Sequence, residues 1–419
     1  MVNIHRPVIV GYDAISPLGL DWERQWQRAL RGESGVGPLT RFHLDTDFPV
    51  RIAGQAPALE DVSAYPFLSA RAMANWRSPI FKYGLLVVHR ALQASGLEIS
   101  ADIAPRTAIT FSSAIGGLDA VLTADRRMRD DKRLPHPFTN PNACINMVGG
   151  KVSILTGATG PILSTITACA TGLTSMLTGA MLLETGQADV AICGAVDFPL
   201  VEPIVAGFAT MNGAFQHKPH RPAVAPSHAS RPFSANRRGF VIAEGAAAVI
   251  LTTRAFARAH GLDQSLELAG WGMTADAGHF VAPRLETVQR CISQSMTSAR
   301  IDAARIDAVN AHATSTKNGD LTEARALQTV FGETRMPPIT ANKSLIGHAM
   351  GASSAIETLF ALEGMRRGQL VPTLNYTPDP AFELNIPVNQ FQALQQEFVL
   401  KNAFGFGGCN ACAVLRRRY

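Results

Sequence analysis

The sequence predicts an α/β protein built from one unit used twice. Strands and helices alternate along the whole chain, the order of elements restarts after residue 253, and the composition favours a core, with 47% hydrophobic and only 17% charged residues. Average soluble proteins carry about 25% charge, so a chain of 419 residues with this composition can bury a large core. Disordered and fibrous classes are excluded. The formal charge of +5 is mild, and Lys and Arg form a block only at Arg416 to Arg418, so nucleic acid is not an expected partner.

Val8 to Val10 reads as a strand, and the residues before it, Met1 to Pro7, do not form a leader. Trp22 to Arg31 and Tyr83 to Ser95 read as helices. The linker Ile103 to Arg106 then leads to a strand, Thr107 to Phe111, and to Ser112 and Ser113. Val152 to Leu183 carries no charge and resembles a membrane span. Gly160-Pro161 and the five threonines from Thr165 to Thr178 instead predict a buried strand over Ile162 to Thr167, a turn, and a buried helix over Thr171 to Leu183. The half closes on a strand at Ala246 to Leu251.

In the second half, a helix ending at Ser295 to Ala299 precedes the strand Ala308 to Asn310. Pro338 to Ala341 and Lys343 answer Pro161 to Thr167 and Cys169, the helix Gly351 to Met365 answers Thr171 to Leu183, and Ala411 to Leu415 closes the half. The boundary falls near residues 252 to 262, giving halves 1–253 and 254–419.

Six scattered cysteines in a chain this long do not make a disulfide framework, and a reducing, cytoplasmic compartment is expected. Cys169 leads the candidates for chemistry. It sits between a strand and the small-residue opening of a helix, Ala170-Thr171-Gly172, where free N–H groups and the helix dipole favour a thiolate. Its plainer reading is a buried core cysteine. His312 follows a strand and precedes Ala313-Thr314-Ser315-Thr316-Lys317, which suits a general acid/base or an oxyanion donor beside hydroxyls; a loop histidine without a task is the alternative. His348, in the loop Asn342 to Gly351, is either a structural histidine or, if the halves are duplicates, opposite Cys169 at the mouth of one pocket.

Phe404-Gly405-Phe406-Gly407-Gly408 reads as a gate with amide donors, or as an ordinary glycine-rich turn. It is not a dinucleotide fingerprint, since no helix follows. Cys409 and Cys412 form a CxxC without a second ligand pair, and His217, His220 and His228 fall in a Pro-rich loop, 216–232. No metal site is expected from either.

Together these motifs resemble the β-ketoacyl-acyl carrier protein synthases, the elongating ketosynthases of fatty-acid and type II polyketide synthesis. The resemblance runs the whole chain and is most specific at Thr167 to Gly172, the His312 segment, Lys343 to His348, and Gly405 to Gly408. It implies a thiolase-like fold, a duplicated α/β unit layered αβαβα. It also implies the family's Cys-His-His arrangement. Cys169 would take an acyl chain from a carrier-protein thioester, with the amides of Cys169 and Phe406 as oxyanion donors, and His312 and His348 would serve malonyl decarboxylation. Lys343 would orient the second histidine, Thr314 and Thr316 would contact the pantetheine arm, and Phe406 would gate the site beside Phe404. Glu357 matches a glutamate near the active site that can also belong to a buried cation site. No cofactor of the protein's own is implied, because phosphopantetheine arrives on the carrier.

Ala313 and Lys317 stand where the family commonly has Gly and Pro, Cys409 stands where Thr is usual, and Asp276 to Leu285 is short for a segment near the substrate entrance. The expected partners are an acyl carrier protein, for which Arg126, Arg127, Arg129, Lys132 and Arg133 form a candidate basic patch, and a second copy or related subunit in a dimer. Asp125, Asp130 and Asp131 dilute that patch, so a solvated mixed-charge face is the alternative. Two other functions stay open. A non-catalytic chain-length-type partner subunit would typically lack Cys169, and a degradative thiolase would use a second cysteine near Cys409.

Overall fold

A computed structural model describes residues 6–218, 220–332 and 336–419, so the leader reading at residues 1–5 lies outside the described residues. Nine strands form one sheet: β1 (Pro7–Ile15), β2 (Thr107–Ile109), β3 (Val190–Asp197), β4 (Gly245–Thr253), β5 (Leu266–Ala275), β6 (Ala308–Asn310), β7 (Ile339–Thr340), β8 (Phe398–Gly405) and β9 (Cys409–Arg417). Their order across the sheet is β2-β3-β4-β1-β5-β9-β8-β6-β7. Outward from the junction, each half places its first strand innermost, then its last, its penultimate and its second. Ile162 bridges to Ile109 in parallel, taking the outer place that β7 holds in the other half. The pairings match as well: the inner strands are antiparallel and the outer ones parallel. Within the sheet, the described strands of the two halves pair only at Val8 with Glu267 and Ile9 with Leu266.

Eight helices matter for the site: α1 (Pro79–Ser95), α2 (Leu118–Asp130), α3 (Asn146–Thr156), α4 (Thr171–Glu184), α5 (Leu285–Ala299), α6 (Lys317–Phe331), α7 (Lys343–Ile346) and α8 (Met350–Arg367). Helices α1 and α3 cover the outer face of the first half of the sheet, α5 and α6 that of the second, and α4 and α8 lie between the two. This is the five-layer arrangement αβαβα. A helix lying between the two halves of the sheet is buried all round. Every residue of α8 from Met350 to Met365 is buried, and so are Leu173, Met176, Leu177, Ala180 and Leu183 of α4. Helix α4 carries no charge before Glu184, whereas α8 buries Glu357 and Glu363 and ends in Arg366 and Arg367. Among the described residues, no helix is long and apolar enough to cross a membrane.

The strand expected over Ile162 to Thr167 does not form beyond the bridge at Ile162. Ile162, Leu163 and Ile166 are 41%, 43% and 47% exposed, so the apolar spacing that suggests a buried strand marks an uncovered edge instead. The uncharged run from Val152 to Leu183 accordingly divides into the end of α3, a half-exposed connection, and α4.

Candidate active site

The two central helices cross at glycines. A Cβ on Gly172 would lie 2.7 Å from the Ala355 amide nitrogen, so only glycine lets α4 and α8 approach this closely. Cys169 lies three residues before Gly172 and His348 three before Gly351. The crossing therefore brings both side chains to one point, with His348 Nε2 3.1 Å from Cys169 Sγ. His312 arrives from the end of β6, its ring 5.9 Å from that of His348 and 5.7 Å from that of Phe404. A cavity of about 550 Å³ is lined by these residues together with Thr314, Thr316 and Phe406. All the predicted site residues except Lys343 line it. Backbone strain occurs here too: Ala168, Ala313 and Met350 have φ of +49°, +27° and +46°, each one or two residues from Cys169, His312 or His348.

Gly405 ends β8 against the segment that carries Cys169. A Cβ there would sit 2.2 Å from the Thr167 carbonyl oxygen. This approach aims the Phe406 amide at Cys169 Sγ, where it acts with the Cys169 amide. Two N–H groups directed at a nucleophilic sulfur also suit an oxyanion once that sulfur carries an acyl group. The turn after Phe406 is tied to the 276–283 segment, with the Gly407 amide donating to the Phe280 carbonyl at 2.7 Å.

The electrostatics differ from the sequence expectation. Burial pushes the Cys169 thiol up to about 11, against the downward pull of the Lys343 charge and the two amides. Helix-terminus stabilisation is outweighed by desolvation. Burial, helped by the Lys343 charge, holds both histidines well below their ordinary value. The site at neutral pH is a thiol beside two neutral imidazoles. His348 Nδ1 lies 3.0 Å from Ser353 Oγ, which also accepts from the Ala349 amide at 2.7 Å.

Lys343 is buried behind the cavity wall and does not touch His348. Its ammonium donates to the His312 carbonyl at 2.5 Å and to Glu357 Oε1 at 2.5 Å, so it holds the first histidine, not the second. The other Glu357 oxygen accepts from Lys401 at 2.8 Å. With both oxygens taken by ammonium groups, Glu357 does not fit a metal ligand. Sequence reasoning passed over Ser353, Glu323 and Lys401. A lysine in the apolar strand Phe398 to Ala403 was the readable signal for the last.

The Cys-His-His geometry agrees with what sequence comparison finds. A family model described as "Beta-ketoacyl synthase, N-terminal domain" matches residues 5–257, and its C-terminal counterpart matches 266–377. The chain belongs to the β-ketoacyl synthase family. It is thus an acyl-transferring, carbon–carbon bond-forming enzyme of the ketosynthase kind. The 3-oxoacyl-[acyl-carrier-protein] synthase 2 of Coxiella burnetii is 34% identical over 424 residues, covering 98% of each chain. A solved type II polyketide-synthase acyl-carrier protein in complex with its ketosynthase, bound to the hexaketide, aligns with TM-score 0.89 at 26% identity, over 99% of each chain. The ishigamide ketosynthase/chain length factor aligns with TM-score 0.88 at 26% identity, again over 99% of each chain.

Outside the catalytic wall, the ketosynthase cavity opens past Lys218, Arg221, Arg238 and Lys317. None of these four has a salt bridge among the described residues. The patch expected on α2 is differently made. Its Arg129 is already paired with Asp125 at 2.8 Å, and none of its cations lines the cavity.

Proposed function

We propose that this ketosynthase elongates acyl chains on an acyl carrier protein by decarboxylative condensation, with Cys169, His312 and His348 as its catalytic residues. The observation that carries this is the 3.1 Å contact between His348 Nε2 and Cys169 Sγ under the amides of Cys169 and Phe406. In the first half-reaction Sγ attacks the thioester carbonyl while its proton passes to His348 Nε2. The two amides hold the oxyanion, and the proton leaves on the pantetheine sulfur. In the second, the C–CO₂ bond of a malonyl thioester breaks and the electron pair is held as an enolate by N–H groups of His312 and His348. The enolate carbon attacks the acyl-cysteine, forming the new C–C bond and expelling the Cys169 thiolate.

His348 must accept at Nε2 first and donate from it later. A serine hydroxyl can accept from Nδ1–H or donate to a bare Nδ1, so Ser353 suits both tautomers. Thr314 and Thr316, whose hydroxyls lie 3.0 Å apart on the cavity wall, would hold the pantetheine arm. Phe406 and Phe404 would gate the acyl pocket. The carrier would dock at the unpaired cations of the cavity mouth. The halves 1–253 and 254–419 would act as one enzyme. A second copy or a related subunit would cover the apolar edge at Ile162 to Ile166, and a reducing cytoplasm would keep Cys169 free.

The test is to incubate the protein with an acyl-carrier-protein thioester and measure its mass. An acyl adduct is expected on wild type and none on Cys169→Ala. A folded wild type that stays unmodified removes the covalent mechanism, and leaves the non-catalytic partner subunit as the better reading.

A further inference from the structure

Behind the histidines lie four charged side chains that cannot touch substrate. Glu323, Lys343, Glu357 and Lys401 are each at most 1% exposed. Glu323 accepts from the His312 amide at 2.9 Å and the Ala313 amide at 2.7 Å, and Lys343 holds the His312 carbonyl. The backbone of His312 is thus gripped at both its N–H and its C=O. Lys401 donates to Glu357 Oε2 and, at 2.9 Å, to the Asn402 carbonyl, while Asn402 Nδ2 donates to Glu323 Oε1 at 3.1 Å. The ring closes with two ammonium groups and two carboxylates. It is neutral only because Lys401 is present, and an unbalanced charge at this depth is strongly disfavoured.

Two further oxygens border the Lys401 strand position. Asn310, its register partner on β6, and Asn402, its neighbour on β8, each have a buried Oδ1 without a hydrogen-bond partner. Neither is reached by the Lys401 ammonium; Glu357 and the Asn402 carbonyl give that ammonium an oxygen setting of the sort alkali cations occupy. Here a side-chain ammonium fills it.

We propose that Lys401 is a built-in cation. It balances Glu357 and, as a positioning residue, keeps Lys343 on the His312 carbonyl, so that this protein needs no bound Na⁺ or K⁺ there. The kinetic part rests on the role proposed above for His312; the stability part does not.

The experiment compares wild type, Lys401→Ser, Lys401→Met and the double variant Lys401→Met/Glu357→Gln in choline, sodium and potassium chloride at equal ionic strength. Thermal unfolding and malonyl decarboxylation are both read. Wild type should show the same Tm and rate in all three salts. In choline, Lys401→Ser should unfold about 3–6 °C lower, as a broken buried ion pair implies for a chain of this size. Its decarboxylation should fall roughly tenfold, in kcat more than in KM, as for a lost orienting contact. Sodium or potassium should restore at least half of each loss to Lys401→Ser and none to Lys401→Met, whose side chain fills the space. The double variant should be more stable than Lys401→Met because charge balance returns.

A wild type stabilised by Na⁺ or K⁺ over choline overturns the proposal. So does a Lys401→Ser protein with wild-type Tm and rate in choline, or one whose losses neither cation repairs. If Lys401→Ser does not fold, the pair decides: a double variant no more stable than Lys401→Met overturns the charge-balance argument. An absent acyl adduct on Cys169 would defeat the proposed reaction and leave the unfolding results standing.

Discussion

The thiol of Cys169 should be a reluctant nucleophile until substrate arrives. Burial raises it from the ordinary 9.0 to about 11. Two units make the thiolate about a hundredfold scarcer than for an unperturbed thiol, roughly 0.03% against 3% at pH 7.5. The assay is alkylation by iodoacetamide from pH 6.5 to 9.5, followed by mass measurement of the peptide containing Cys169, with exposed Cys144 in the same protein as internal reference. The Cys169 rate should climb about tenfold per pH unit and reach no plateau in that range, because the reactive fraction stays small throughout. A plateau near neutrality would refute the reasoning. It would show a resting thiolate–imidazolium pair, with the helix terminus and Lys343 prevailing over desolvation. On the reading developed here, acylation at pH 7 must instead draw on His348 to take the proton during attack.

Two further predictions concern the histidines. Ser353→Ala should lower malonyl decarboxylation by about 10–100-fold, the usual effect of losing a partner that fixes a reactive imidazole, with a smaller effect on Cys169 acylation; equal losses in both half-reactions would remove Ser353 from tautomer control. Each buried histidine takes a proton in the unfolded chain near 6.5 but only well below that in the folded one, so its contribution is complete above about pH 6.5 and is lost on acidification, by about 1.4 kcal/mol per pH unit. Asp197, raised by burial to about 6, works in the opposite sense, gaining stability as pH falls. The histidine part is therefore read as the difference between wild type and His348→Asn in chemical unfolding at pH 7.0 and 5.5, and should shrink by about 1 kcal/mol at the lower pH; an unchanged difference contradicts a neutral His348.

The repeat of elements was legible because strands and helices keep their periodicity wherever they are buried, and the first central helix announces itself by its uncharged run from Thr171 to Leu183. The Cys169, His312 and His348 positions were legible because each stands at the end of a regular element beside small residues. The connection from Ile162 to Thr167 was misread because apolar spacing reports which residues avoid water, not what covers them. The Cys169 thiol was misread for a related reason: a helix terminus is visible in sequence, whereas the burial that outweighs it is made by the tertiary fold. Lys343 shows the limit most plainly. Its place in the chain next to His348 suggested that histidine, yet its side chain reaches back to the carbonyl of His312.

That reach fits the uneven way the fold supports Cys169, His312 and His348. Cys169 and His348 stand at the starts of the two central helices, whose crossing at Gly172 is also tied by the Leu173 amide donating to Ser354 Oγ at 3.0 Å. His312 has no such support. It lies two residues beyond a three-residue strand, in a loop in which Ala313 and Ser315 take φ of +27° and +72°, conformations that L-residues resist. A strained loop holds one geometry only if its surroundings over-determine it. Here Glu323 and Lys343 do so through hydrogen bonds to the backbone itself, and Glu357 and Lys401 keep those two charges tolerable away from water. The four buried charges thus lie where regular secondary structure stops, behind the one reactive side chain that helix packing does not place.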